Sequence, residues 1–136
     1  VEIDIAFDNV DGALRKLERL LAVNPDNYPL TVLQSDALWQ ARRFEESSKV
    51  LRALSRQRSE DPNIWYRLAE VSGLAGDISG VHRARAEYFV LVGAFDLARK
   101  QLAKAASLVA SDFKQSAIVR QRLRDLADME DRVVKL

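Results

Sequence analysis

The 136 residues carry 21 lysines and arginines against 20 aspartates and glutamates, a net charge of +1, and no cysteine. That balance creates no overall field for nucleic acid or an anionic membrane, and the lack of cysteine excludes disulfides and thiolate metal sites. With 48% hydrophobic residues, five glycines and three prolines, the chain favours helix and is long enough to bury a core, and no apolar run reaches the length of a membrane span.

In chain order, residues 1–7 alternate apolar and acidic side chains, which alone would suggest a short strand. The register of the downstream helices makes them instead the remnant of a truncated, frayed helix. A helix is predicted over residues 10–23, where Leu14, Leu17, Leu20 and Leu21 form one buried stripe. Asn24-Pro25-Asp26-Asn27 stops it. The next helix covers 28–40 with Pro29 in its first turn, and Ala41-Arg42-Arg43 makes a tight turn. Further helices are predicted over 44–56, 62–74, 78–92 and 95–108, separated by Ser59-Glu60-Asp61-Pro62, Gly76-Asp77 and Gly93. The last covers 112–134, with Ser111 or Asp112 as its cap. It carries Leu123, Leu126, Met129 and Val133 on an inward face, as a terminal capping helix should.

Two periods organise these elements. Ala13 and Leu17 recur as Ser47 and Leu51 after 34 residues, while Gly76-Asp77-Ile78 recurs as Gly93-Ala94-Phe95 after 17. A 34-residue period means stacked helix pairs, each too small to bury its own apolar face. The 17-residue half-step makes the helix over 78–92 serve two pairs, with Val81, Tyr88 and Leu91 on one face and Ala86, Phe89 and Gly93 on another. The expected fold is all-α, a solenoid of antiparallel helix pairs forming one domain over 1–136, with repeats over 10–108. Counting back from Ala13 puts Val1 inside a broken unit, so the chain reads as a fragment of a longer protein.

The helix pairs resemble tetratricopeptide repeats. The likeness is carried by Trp65, Leu68 and Ala69 in a first helix, by the small openings Ala13, Ser47 and Ala98 of second helices, and by Leu17, Leu51 and Leu102 after them. Thr31 in the place of Trp65 and Ser59 in the place of Pro25 depart from the pattern. The segment from Ala84 to Leu108, with the half-step and the closing basic-acidic helix, is similar to the C-terminal repeat domain of the periplasmic beta-barrel assembly-enhancing zinc metalloprotease family of Gram-negative bacteria. The resemblance implies a zinc protease domain upstream and a periplasmic location. It implies repeats that dock to the outer-membrane assembly machinery, to client outer-membrane proteins or to the protein's own protease domain. A non-enzymatic scaffold or adaptor of envelope biogenesis or secretion is the alternative.

The residues of this chain point to no catalysis of their own. A His-Glu-x-x-His motif needs two histidines one turn apart, and only His82 is present; it reads as an ordinary polar residue. No cofactor, metal or catalytic residue is therefore expected in this chain, and zinc belongs to the implied parent protease. Arg120, Arg122 and Arg124 are spread around a helix and followed by acids, so they read as a solvated face rather than a nucleic-acid stripe. First helices of such pairs line the inner groove. The protein-binding candidates are Val32, Asp36, Trp39 and Gln40 on the helix over 28–40, and Asn63, Tyr66 and Glu70 on the helix over 62–74. Acidic and apolar groups there would repel a terminal carboxylate, which disfavours a chaperone adaptor, and would suit segments bearing apolar and basic side chains.

Overall fold

A computed structural model describes the backbone of residues 2–134 and the side chains of residues 9–134. Among these residues there are seven helices and no strand: α1 (Glu2–Val23), α2 (Tyr28–Gln40), α3 (Phe44–Gln57), α4 (Pro62–Leu74), α5 (Ile78–Leu91), α6 (Phe95–Leu108) and α7 (Phe113–Val134). They group into two compact units, Val1–Ser59 and Glu60–Leu136.

Local chemistry sets the helix ends. Asn27 Oδ1 accepts from the Leu30 amide at 3.0 Å, Asp61 Oδ1 from Asn63 at 3.0 Å, Asp77 Oδ1 from Gly80 at 3.0 Å and Asp112 Oδ1 from Gln115 at 3.1 Å. Each satisfies an amide that the first helical turn leaves without a partner. Of the two caps considered for α7, Asp112 is the one used. The starts of α3 and α6 have no side-chain cap. Acids stand in their first turns instead: Glu45 and Glu46 in α3, and Asp96 in α6, which suits the positive end of a helix. Glu46 also forms a two-point pair with Arg43, at 2.6 and 2.9 Å. That pairing holds its carboxyl below the usual range and raises the Arg43 guanidinium.

Three of the connecting turns are the same device. After α2, α4 and α5 the chain reverses through a residue with positive φ: Arg42 (59°), Gly76 (83°) and Gly93 (78°). In each turn the following amide reaches back to the helix, Arg43 to Leu38 O, Asp77 to Ser72 O and Ala94 to Phe89 O, at 2.8, 2.9 and 2.8 Å. The left-handed residue's own amide bonds to Trp39 O, Gly73 O or Val90 O. This paired closure ends a helix in the fewest residues. Its positions, 42, 76 and 93, are spaced by 34 and 17, so the half-step in the sequence is one turn type used again half a period early. Arg42 is the only non-glycine residue in this conformation among those described, and a β-carbon there costs about 1 kcal/mol. Arg42→Gly should therefore raise stability by about 0.5–1 kcal/mol, seen as a higher urea midpoint at unchanged helicity. An unchanged or lower midpoint would show that the Arg42 side chain offsets the strain.

Residues 2–23 form one uninterrupted helix where the sequence reading divides a remnant at 1–7 from a helix starting at Val10. Val1 lies outside the described residues. No proline or left-handed residue stands between Glu2 and Val10 to reverse the chain, so the α1 backbone continues. The other predicted helices match the observed ones to within one residue at either end.

In the first unit, Val10, Leu14 and Leu17 of α1 meet Ala37 and Leu38 of α2, rimmed by Leu30, Ala41 and Val50. The expected stripe on α1 is corrected at its end: Leu20 is exposed and Leu21 half-buried. Helix α3 crosses α2 through small residues, with Ser47 Oγ donating to Ser35 O at 2.9 Å in the interior. At the other end of this pair the Arg58 guanidinium lies 4.2 Å from the centre of the Tyr28 ring, a cation–π contact.

In the second unit, Ala86 of α5, Ala98, Leu102 and Ala105 of α6, and Val119 and Leu126 of α7 form one buried cluster. Ile64, Leu68 and Val71 of α4 and Val81 and Ala84 of α5 are also buried. Helix α5 packs on both α4 and α6, as a helix shared by two pairs requires. Its two stripes hold except at the lower end, where Leu91 is exposed and Gly93 belongs to the turn. On α7, Leu126 is buried, Leu123 and Met129 are half-buried and Val133 is exposed.

Candidate protein-binding surface

In the first unit, α2 is buried along Ser35, Ala37 and Leu38, and the helical period puts Val32, Asp36, Trp39 and Gln40 around another side. There Val32, Asp36 and Trp39 are half-buried and Gln40 is exposed. Trp39 thus divides its surface between packing and solvent. The structure places these four on one helix side.

In the second unit, α4 buries Ile64, Leu68, Ala69, Val71 and Ser72. Asn63, Tyr66 and Glu70 are all exposed. Tyr66 is 56% exposed, and its ring is held. It leans on Tyr88 of α5, with centroids 5.9 Å apart and planes at 59°, and Tyr88 meets Phe89 edge-on at 5.7 Å. Phe89 packs on the α5–α6–α7 core. An exposed aromatic ring is therefore tied to the interior through a second tyrosine, with the Glu70 carboxylate one turn further along α4. A fixed aromatic surface gives contact area at small cost in conformational entropy.

Tyr88 is a residue that sequence reasoning assigned only to packing. The signal for a wider surface was available. If α5 opens a second pair, the half-step carries Tyr66 and Glu70 onto Arg83 and Glu87. In the structure those two side chains face α7. Arg83 Nη1 donates to Gln115 Oε1 at 2.9 Å. Glu87 accepts two bonds from Arg122, from Nε at 2.7 Å and from Nη2 at 2.6 Å. The Arg122 guanidinium is raised, chiefly by these bonds and against its burial. On α5 the groove positions are thus spent on holding α7, whereas on α4 they stay open. Arg122, grouped in the sequence with a solvated stripe, is a tie between helices. His82 has a similar role, its Nδ1–H donating to Gln101 Oε1 on α6 at 2.7 Å. Arg99 pairs with Asp96 and with Glu130 of α7.

Among the described residues no group of three or more His, Cys, Asp or Glu is placed to hold a metal ion. Among the same residues no helix is long and apolar enough to cross a membrane.

Residues 5–71 match the family model described as tetratricopeptide repeat. The match runs from α1 into α4 and supports a tetratricopeptide-repeat domain. With seven helices and no strand among the described residues, the class is all-α and tetratricopeptide-repeat-like. Repeats of this kind carry protein–protein interaction, binding proteins or peptides. No curated protein matches the chain.

Proposed function

We propose that this chain is a protein-interaction region that receives a segment bearing apolar and basic side chains on Tyr66 and Glu70. The supporting observation is the exposed Tyr66 ring, fixed by Tyr88, beside an exposed carboxylate. The ring offers a face to an apolar or cationic side chain, and Glu70 attracts the cation.

The fuller reading makes the chain the docking region of a periplasmic zinc metalloprotease of outer-membrane protein assembly and quality control, with zinc held in a separate domain. Its support is the likeness of Ala84–Leu108, together with the sharing of α5 between two helix pairs. A His-Glu-x-x-His domain and a secretion signal encoded upstream are the expected finding; further repeats or a lipoprotein signal there would favour the non-enzymatic scaffold instead.

A photo-crosslinking amino acid at position 63, an exposed site one turn before Tyr66 on α4, should capture outer-membrane assembly components or nascent outer-membrane proteins in cells. Tyr66→Ala with Glu70→Ala should weaken that capture about tenfold, the loss of roughly 1.4 kcal/mol expected of an interface anchor. Far-UV circular dichroism should stay unchanged. Equal loss of capture and helicity would mean these residues hold the fold, and the binding assignment would fail.

A further inference from the structure

Helix α5 packs on α4 and on α6, and most of its charged and polar side chains are committed to neighbours. His82 bonds to Gln101 of α6, and Arg83 and Glu87 bond to Gln115 and Arg122 of α7. Arg85 is exposed and, among the described residues, makes no hydrogen bond or ion pair. Half a period earlier the same register position is Leu68 of α4, which is 5% exposed. A position that holds a core leucine on one helix therefore holds a bare guanidinium on the next. Seven residues to either side of Arg85 stand Ile78 and Val92, 51% and 52% exposed. The three lie on one line along α5, at intervals of about 10 Å.

This stripe borders the Tyr66 surface. Tyr66 meets Tyr88, and Val81 lies against Gly73, so the antiparallel helices α4 and α5 bring Glu70 level with Ala84 and Arg85. Ala84 is buried. Arg85, the next residue, is turned about 100° from it, toward the side on which Glu70 is exposed. Glu70 also has no bonded partner among the described residues. An open strip thus runs along α5, with a carboxylate on its α4 side, a guanidinium at its middle and apolar residues at both ends. Stacked repeats pack on their sequence neighbours. A repeat added before α1 or after α7 would therefore not cover α5, whose neighbours α4 and α6 are both in place. A second copy does not supply the complement either. Among the described residues, no helix carries an acid with bulky apolar residues seven positions away on both sides.

We infer that this strip seats an amphipathic helix of a partner protein, which presents an acid to Arg85. Apolar residues seven positions away on each side of that acid cover Ile78 and Val92, and a base points toward Glu70. A helix laid along α5 advances by the same rise per residue, so the two sets of side chains stay in step. The guanidinium can hold the carboxylate at two points. The inference rests on the reading of Tyr66 and Glu70 as a binding surface, and adds to its apolar and basic requirement an acid at a fixed place.

The test uses an isotope-labelled sample of this chain and two capped, alanine-rich helical peptides as probes. Each carries leucine seven residues to either side of its centre and a lysine one turn away; one has glutamate at the centre and its twin has lysine. The glutamate peptide should give saturable amide shifts along α4 and α5 and bind about fivefold more tightly than its twin. Arg85→Gln should abolish that preference and Arg85→Glu should reverse it. Both substitutions alter an exposed position, so the free proteins should keep wild-type helicity. Equal binding of the two peptides, or a preference indifferent to Arg85, would overturn the inference. If such binding still weakened in Tyr66→Ala with Glu70→Ala, the Tyr66 reading would stand without it. No shift on α5 at millimolar glutamate peptide would also overturn it. Concentration-dependent dimerisation in sedimentation, abolished by Arg85→Glu, would make a second copy the occupant and overturn it too.

Discussion

Leu126→Ala is expected to lower the stability of the second unit by about 3 kcal/mol, within the roughly 2–5 kcal/mol range of buried leucine truncations. Leu126 has no solvent exposure and lies in the cluster formed by Ala86, Ala98, Leu102, Ala105 and Val119. Three of those five neighbours are alanines, whose short side chains cannot swing into the space left behind. The cavity term should therefore add almost fully to the lost transfer energy. Urea unfolding followed by far-UV circular dichroism measures the loss, and amide exchange along α7 should accelerate before the rest of the unit. Val133→Ala, at an exposed position of the same helix, should change stability by less than about 0.5 kcal/mol. If both substitutions cost the same, α7 is not held by the apolar face described for it.

Arg122→Ala should cost about 1–2 kcal/mol. Two charge-assisted bonds to Glu87 are removed, and bonds of this class contribute roughly 1.5–3 kcal/mol each when well shielded. The pair is not fully shielded, with side chains 29% and 20% exposed, so solvent screening reduces the figure. The loss has a signature that a packing defect lacks. In about 1 M salt, where screening reaches within a few ångströms, the difference between wild type and Arg122→Ala should shrink, whereas the Leu126→Ala difference should persist. Glu87→Gln with Arg122→Ala should cost less than the sum of the two single changes, because the second removes a partner already without its bond. Additive losses would show that the two side chains act separately.

The two effects meet on one helix. Apolar residues of α7 face α6, and Gln115 and Arg122 on a neighbouring side reach α5. The polar ties occupy positions of α5 that the repeat register makes equivalent to Tyr66 and Glu70 of α4. The same register thus yields an open surface on one helix and a closed one on the next, and what differs is whether another helix arrives to use it.

Helix ends and their spacing were legible in the chain because the chemistry is local. Asn27, Asp61, Asp77 and Asp112 cap with their own side chains, and Gly76 and Gly93 close turns with bonds back to the helix just ended. The 34- and 17-residue spacings therefore located α2 to α7 nearly to the residue, and exposed Tyr66 followed from its place beside Trp65 on the helix. Coverage was decided by tertiary structure alone. Ala13 and Leu20 share the register of Ser47 and Leu54 yet lie in solvent, since burial belongs to a pair of helices and not to one. Tyr88 became the support of Tyr66, and Arg122 became a tie to Glu87, only once α4, α5 and α7 were brought side by side. A repeat register dictates which side chains point the same way along each helix. Only packing dictates which of them meet another helix and which remain free to meet a partner.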